Sequence, residues 1–113
     1  AKLPFHIRRR DNQPFAFAGL WERWRCGDGT LESCTIITTA ANEFLRPLHE
    51  RMPVILAPND YGAWLAPAAK PEELQPLLAS TDTPELEVVP ANPSVNNARH
   101  DAPDCLAPPA ELF

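Results

Sequence analysis

A histidine and an arginine stand two residues apart on a short connection between two apolar segments. His49 and Arg51 directly precede the apolar run 53–56, and Thr38 and Thr39 end the β-branched run before them. Imidazole both gives and takes protons near neutral pH, and guanidinium binds phosphate. Side chains on a short connection between rigid elements are held in place, as reacting groups must be. These residues are therefore the first candidates for a functional site.

The residue types also allow a plainer interpretation. A turn histidine that bonds a backbone carbonyl would have the same spacing, and spacing alone favours that role for His49. His6 on a predicted strand and His100 in the C-terminal part of the chain are interpreted as structural or solvated. The pattern of residue types thus leaves the role of His49 open.

Short strands are the main elements that must position these residues. Fourteen prolines and only four glycines favour short elements joined by rigid turns. Alternating or continuous apolar patterns predict strands over 3–9, 15–25, 31–38, 53–56 and 86–89. The first three are expected to form an antiparallel meander, with Gly19 at a bulge or a close backbone approach. An irregular tail is expected from residue 90 onwards.

Three short helices are predicted among these strands. Thr38 or Thr39 is a natural N-cap for the first helix, and Pro47 ends it. Pro58 and Pro71 each open a further helix at its first turn. Apolar residues recur at helical spacing and are expected to face a core: Ala41, Phe44, Leu45 and Leu48, then Tyr61, Trp64 and Leu65, then Leu74, Leu77 and Leu78. The expected fold class is α+β.

Charge is distributed unevenly along the chain. Residues 1–51 carry eight Lys/Arg against six Asp/Glu, a net of +2, whereas residues 52–113 carry two against nine, a net of −7. Any DNA contact would therefore use the arginines of the first part. Arg8, Arg9 and Arg10 fit either a solvated strand end or phosphate contacts.

Neither a membrane protein nor a disulfide or metal framework is predicted. No apolar run approaches the ~20 residues that span a bilayer, so a soluble, cytoplasmic protein is expected, associated with the nucleoid if it is bacterial. Three cysteines, an odd number, favour free thiols. Cys26 and Cys34 flank a hairpin turn, and the expected register places them opposite Leu31 and Arg23 rather than each other. No cofactor or metal is expected, and Cys105 stands alone.

Several sequence blocks, in the same order, carry a family resemblance. These are PFHIRRRDNQPFAFAGLWERW, TTAANEFLRPLHERMPVIL, AWL and VVPANPSVNNARHDAP. Together they resemble the SRAP family, the SOS-response-associated peptidase domains, over nearly the whole chain. The resemblance implies the C-terminal portion of a β-rich barrel with short flanking helices, and hence an incomplete domain.

The resemblance also implies a chemistry. SRAP domains bind single-stranded DNA and protect abasic sites by bonding covalently to the sugar. The reacting group is a cysteine at position two, exposed when the domain removes its own initiator methionine. Its free α-amine, with a pKa of about 7.7–8.0, condenses with the ring-opened aldehyde, and the neighbouring thiol closes a thiazolidine ring. A glutamate and a histidine transfer protons, and an asparagine orients the reacting centre.

Carried over to this sequence, the family's catalytic histidine falls on His49. Thr38, the first of the TT pair, is expected to line the active site, and Arg51 is the candidate contact to DNA phosphate. An acid–base role at neutral pH suits an imidazole.

The departures from the family pattern limit these assignments. The sequence begins Ala1-Lys2 rather than Met-Cys, and the family's cysteine, asparagine and GFYEW glutamate belong to an upstream region. The block AGLWERW resembles a later family segment, so Glu22 is not assigned as the catalytic glutamate. Trp21 and Trp24 are interpreted as barrel packing rather than as platforms for stacked bases.

The chain is therefore expected to be the C-terminal part of a single SRAP domain, inactive without its nucleophile. Its expected partners are single-stranded DNA with an abasic site and either the remaining half of the domain or a second copy. A noncatalytic single-stranded-DNA-binding module and a degenerate domain that keeps only the fold are the alternatives. A hydrolase that pairs His49 with Cys26 or Cys34 is disfavoured, because the spacing places neither thiol beside the imidazole.

Overall fold

The structure is a computed structural model that describes residues 3–79 and 83–109. The chain divides into two compact units, one made of Ala1–Pro14 and Glu85–Phe113, the other of Phe15–Pro84. Strands and helices follow in the order β1 (Phe5–Arg9), β2 (Ala16–Phe17), β3 (Gly19–Cys26), β4 (Gly29–Ile36), β5 (Thr38–Ala40), β6 (Arg51–Pro53), β7 (Ile55–Leu56), α1 (Tyr61–Leu65), α2 (Pro71–Ala79) and β8 (Leu86–Pro90). Short 3-10 helices lie at Pro58–Asp60, Pro93–Asn96 and Pro103–Leu106. The predicted α+β class is confirmed.

The unit that contains the first strand is built on one antiparallel pair. β1 and β8 run in register from Phe5 opposite Pro90 to Arg9 opposite Leu86. Arg8 Nε donates to the carboxylate of its cross-strand partner Glu87 at 2.7 Å. The predicted meander is wrong at this point, because the hydrogen-bonding edge of β1 is taken by a strand almost eighty residues away rather than by β3.

The second unit consists of three antiparallel ladders that meet at three single residues. The ladders are β2 with β7, β3 with β4, and β5 with β6. Ala18, Ile37 and Val54 each separate two consecutive strands and are joined in a ring of backbone hydrogen bonds. Ala18 N–H donates to Val54 O at 2.8 Å, Val54 N–H to Ile37 O at 2.9 Å, and Ile37 N–H to Ala18 O at 3.0 Å. The continuous strands predicted over 15–25, 31–38 and 53–56 are therefore broken, one at each of these residues.

The core of this unit surrounds the same junction. Ala18, Val54 and Leu56 are buried, and the side chains packed against them are Ile37, Tyr61, Trp64, Leu77 and Leu78. The helices predicted to start at Pro58 and Pro71 are confirmed, the first after one 3-10 turn. Leu65 is an exception to the predicted apolar face, since it is 76% exposed.

The β3–β4 hairpin corrects the expected cysteine register. Its loop is the two-residue turn Gly27-Asp28, with Gly27 at φ +57°, a conformation that glycine adopts without a steric penalty. Cys26 therefore faces Gly29, and Cys34 faces Trp21. The sequence was interpreted with a four-residue loop, and this shifted the predicted pairing of β3 with β4 by two residues. All three cysteines are free, as predicted.

Gly19 sits where a side chain would be crowded. A Cβ at this position would lie 3.1 Å from the carbonyl oxygen of Thr35 on the paired strand. The close backbone approach predicted for Gly19 is thus present. No helix within the described ranges 3–79 and 83–109 combines the length and the apolar character that crossing a bilayer requires.

Replacing Val54 by alanine is expected to destabilise the second unit by about 2 kcal/mol, because the side chain is 1% exposed and its loss leaves a cavity at the junction. Urea unfolding followed by tryptophan fluorescence reports this unit, since all three tryptophans belong to it. Leu65→Ala is the control, and its change should stay within about 0.5 kcal/mol. Equal shifts for the two variants would contradict the position of the core.

Candidate functional site

The candidate site is built on the loop that joins β5 to β6. Ala41 N–H donates to Glu50 O at 2.8 Å and closes the loop at its base. The side chain of Asn42 accepts from Leu45 N–H at 3.0 Å, and Leu45 is buried. The guanidinium of Arg46 donates to the carbonyl of Ala41 at 3.2 Å. Local hydrogen bonds and one buried leucine therefore fix this loop.

The helix predicted over this segment is absent. Thr38 and Thr39 are not helix caps, because they pair with β6 as part of β5. Residues 43–48 form consecutive turns, in which Asn42 takes the capping role. Pairing of the two threonines with a distant strand overrides their local preference, and Pro47 cannot donate to extend a helix.

His49 is held by the backbone of Arg51. Its Nδ1 accepts from the Arg51 N–H at 3.0 Å and lies 3.1 Å from the Arg51 carbonyl oxygen. The N–H is a permanent donor, so a neutral ring satisfies it by keeping Nδ1 unprotonated and carrying its hydrogen on Nε2. Nε2 has no hydrogen-bond partner among the described residues. A ring that carries a hydrogen on Nδ1 instead donates it to the Arg51 carbonyl oxygen, which is the bond that the structural interpretation of His49 predicts. The exposed Nε2 is what a proton-transfer role requires.

Arg51 is anchored across the ladder to Thr38. Its Nη2 donates to the carbonyl oxygen of Thr38 at 3.0 Å and to the hydroxyl Oγ1 at 3.1 Å. Residue 51 lies opposite Ala40, so the guanidinium reaches diagonally to the residue two positions away on the same face. Both acceptors are neutral, and the side chain keeps its full positive charge.

The three residues predicted from sequence are therefore brought together. Thr38, Arg51 and His49 form one continuous hydrogen-bonded group, and all three are exposed. His49 and Arg51 also line an open depression of about 470 Å³, together with Arg46, Pro47, Leu48 and Glu50. A volume of this size is in the range of sites for small molecules or single nucleotides.

Two lining residues were missed by the sequence analysis. Arg46 was counted only among the basic residues, and Glu50 was not considered at all. Glu50 is the neighbour of His49 in the run PLHERMP, and that adjacency is the signal that could have indicated it. The depression is thus lined by two guanidinium groups, one carboxylate and one imidazole.

The tryptophans of the β3–β4 hairpin do not pack as predicted. Trp21 and Trp24 are 67% and 59% exposed, so their interpretation as internal packing is wrong for this chain. The Arg23 guanidinium lies 5.7 Å from the centroid of the Trp21 ring. Trp64, by contrast, is half-buried and donates its indole N–H to the carbonyl of Gly19 at 3.1 Å. Glu22 is exposed on the same hairpin, opposite Ser33.

Comparisons with known proteins agree on one family. A family model described as SOS response associated peptidase (SRAP) matches residues 1–98. Abasic site processing protein YoqW of Bacillus subtilis is 38% identical over 107 residues, which cover 93% of this chain and 48% of that protein. Abasic site processing protein HMCES of Mus musculus is 36% identical over 95 residues, or 80% of this chain and 26% of that protein.

A solved structure has a fold similar to that of this chain. The crystal structure of a protein from Bacteroides thetaiotaomicron matches with a TM-score of 0.81 at 26% identity, covering 96% of this chain and 49% of the other. This chain therefore spans about half the length of YoqW and of the crystallised protein.

Proposed function

The chain belongs to the SRAP family, and we propose that it is the part of an abasic-site-processing domain that supplies the histidine and a phosphate-binding arginine. The relatives' names indicate DNA damage, and the chain corresponds to about half of YoqW. The observation that carries the proposal is the hydrogen-bonded group of Thr38, Arg51 and His49 at the edge of an open depression.

His49 is assigned proton transfer. When a primary amine adds to the aldehyde of an abasic sugar, the resulting carbinolamine must lose water, and the departing hydroxyl needs a proton. The imidazolium form of His49 can give that proton from Nε2, which leaves a neutral ring whose Nδ1–H donates to the Arg51 carbonyl oxygen 3.1 Å away. The neutral ring then takes the proton of the thiol, and the thiolate adds to the iminium carbon. The backbone of Arg51 holds the ring at the opposite nitrogen, through its N–H when Nδ1 is unprotonated and through its carbonyl oxygen when Nδ1 carries a hydrogen. The attacking amine and thiol belong to an N-terminal cysteine outside this sequence.

Arg51 is assigned DNA binding. One of its nitrogens is fixed by Thr38, which sets the plane of the guanidinium and lowers the entropy lost when a phosphate binds. Its other N–H groups have no acceptor among the described residues. Thr38 thus acts by positioning Arg51, in place of the direct lining role first assigned to it.

A noncatalytic single-stranded-DNA-binding module is the second candidate. It is favoured by the hairpin, where two exposed indoles and Arg23 offer stacking surface beside a positive charge. Arg23 also pairs with Glu32 at 3.1 Å, however, which offsets that charge. The unpaired positive charge at Arg51 makes the depression the stronger candidate for phosphate.

Arg51→Ala is expected to weaken binding of this chain to single-stranded DNA about tenfold, because a charge-assisted contact to phosphate is lost. The slope of log affinity against log salt should fall by about 0.7. Arg99→Ala is the matched control, since it removes an exposed arginine of the other unit. If Trp21→Ala weakens binding and Arg51→Ala does not, the hairpin rather than the depression binds DNA.

His49→Ala in the intact gene product is expected to slow covalent capture of abasic single-stranded DNA about 100-fold, the usual contribution of a positioned acid–base group. Denaturing gels that follow the DNA–protein adduct over time give the rate. His6→Ala on β1 should leave this rate unchanged. An unchanged rate in the His49 variant, with normal DNA binding, would show that His49 has a structural role in the turn and does not transfer protons.

The exposed apolar side chains of the hairpin, which lie on both of its faces, are assigned to contacts with the remaining half of the domain. Exposed large side chains are concentrated on this hairpin: Leu20, Trp21, Trp24, Leu31 and Ile36 are 53–67% exposed. A surface of that kind marks an interface. Because the chain spans half the length of its relatives, we infer that the other half covers these side chains, with self-association as the alternative.

Trp21→Ser combined with Trp24→Ser is expected to weaken association with the other half, supplied as a separate polypeptide, by at least ~30-fold, since buried tryptophans dominate interfaces. Sedimentation velocity measures the association. Leu65→Ser is the control, because Leu65 is more exposed than either indole but lies on α1. A dimer of this chain that the double variant abolishes would favour self-association instead.

A further inference from the structure

A second group of chemically active side chains lies in the C-terminal segment, apart from anything assigned above. His100, Asp104 and Cys105 each offer one donor atom, and these three atoms all lie within 4.8 Å of one another. The Nε2 of His100 and the Oδ1 of Asp104 are 2.7 Å apart. Two ligands bound to one ion at 2.0–2.3 Å are roughly 3–4 Å apart, so small side-chain rotations suffice to admit a metal ion.

The backbone holds this arrangement without help from a long helix. His100 N–H donates to Asn97 O at 2.9 Å, and Cys105 N–H donates to Ala102 O at 3.1 Å. Asp104 and Cys105 lie on the 3-10 helix Pro103–Leu106, whose first residue has a fixed φ. The donors are therefore set in place before any ion binds, which lowers the entropy cost of binding.

The neighbouring 3-10 helix adds a further constraint. The side chain of Asn92 caps the helix Pro93–Asn96 by accepting from Ser94 N–H at 3.0 Å. Its amide nitrogen lies 3.5 Å from the carbonyl oxygen of Pro108, beyond the other 3-10 helix. Both ends of the segment that carries the three donors are thus tied to one asparagine.

We propose that His100, Asp104 and Cys105 form a binding site for a divalent transition metal of the zinc class. An imidazole nitrogen, a thiolate and a carboxylate are ligands that zinc accepts, whereas magnesium and calcium prefer oxygen alone. Three protein ligands leave the fourth tetrahedral position to water, an anion or a residue of a partner. Cys105 is half-buried and His100 is partly shielded, so the ion would sit at the surface rather than in the core.

The protons balance simply. In the free protein the ring of His100 donates its Nε2–H to Asp104, and the thiol carries its own proton. Binding of the dication releases the thiol proton to solvent and moves the ring proton from Nε2 to Nδ1. The thiolate and the carboxylate then neutralise the two positive charges, so the net charge of the site changes from −1 in the free protein to zero when the ion is bound.

Cobalt titration of the full chain under reducing conditions tests the proposal. A thiolate-to-cobalt charge-transfer band should appear with one ion per chain, and zinc should abolish it by displacement. Cys105→Ser should remove the band, and Cys105→Ser and His100→Ala should each lower zinc affinity by at least ~100-fold, since loss of an outer-shell partner alone costs 10–100-fold.

The other cysteines provide the matched control. The variant Cys26→Ser/Cys34→Ser lacks both hairpin thiols and should keep the band and the affinity of the unaltered chain. A band that survives in Cys105→Ser, or one that disappears in the hairpin variant, would overturn the proposal. So would the absence of any band from a chain whose circular dichroism shows it to be folded. The assay uses no DNA, so its outcome is independent of the role assigned to His49.

Discussion

Three backbone hydrogen bonds at Ala18, Ile37 and Val54 are the constraint from which the larger unit is built. Each residue donates to one of the others and accepts from the third, so the ring satisfies three N–H and three C=O groups at once. Ala18 and Val54 are 0% and 1% exposed, and water cannot replace these bonds if one is broken. Breaking one of these bonds would therefore cost the full desolvation free energy of a buried polar group. That cost is larger than the small net free energy of a hydrogen bond that water can replace. That penalty explains why three ladders stop and restart at single residues.

The ring also determines the position of the candidate site. Thr38 follows Ile37 directly, so β5 starts at the junction, and its pairing partner Pro53 precedes Val54. Arg51 is then three residues from Val54 and two residues from Pro53, so its guanidinium spans two positions along the ladder to reach Thr38. His49, bonded to the backbone of Arg51, inherits this position. A cavity at Val54 would therefore disturb the site through the two short strands β5 and β6.

Local signals in the sequence predicted the elements that depend on local physics. The two helices that begin at prolines are present, because proline at a first turn needs no distant partner. The strand over 86–89 is also present, but its partner β1 lies almost eighty residues away and local signals did not indicate it. The helix predicted between Thr38 or Thr39 and Pro47 is absent, because both threonines pair with β6. The strand breaks at Ala18, Ile37 and Val54 were missed, because they depend on bonds between segments up to 36 residues apart. The hairpin register depended on recognising that Gly27 can begin a two-residue turn.

In the candidate site, too, local sequence signals predicted some features, and features that depend on distant pairing were missed. The motif PLHERMP indicated His49 and Arg51 directly, and Thr38 came from the preceding TT pair. The bond that joins Thr38 to Arg51 was not predictable, because it runs diagonally across the β5–β6 ladder. The sequence pattern predicted a helix where this ladder lies. The group His100, Asp104 and Cys105 was missed for a related reason. Its spacing has meaning only on the irregular backbone of the C-terminal segment. From the sequence, His100 and Cys105 were interpreted separately, and Asp104 was not considered.

The arginines show how the structure redistributes the charge that composition suggests. Arg8 pairs with Glu87, Arg9 with Asp11 and Arg23 with Glu32, so three cations of the basic first part are offset by carboxylates. The hydrogen bond from Arg9, followed by the one from Gln13 N–H, holds the pKa of Asp11 below its usual value, and this pair persists until the pH falls through that lowered pKa.

Arg46 and Arg51 differ from these arginines in the partners that the structure gives them. Their guanidinium groups donate to the neutral oxygens of Ala41 and Thr38, which fix the side chains without cancelling their charge. An exposed phosphate gains most from a cation of this kind, because no carboxylate of the described residues forms an ion pair with it. Within an acidic chain, positive charge that is both fixed and unneutralised therefore lies on the rim of the depression beside His49.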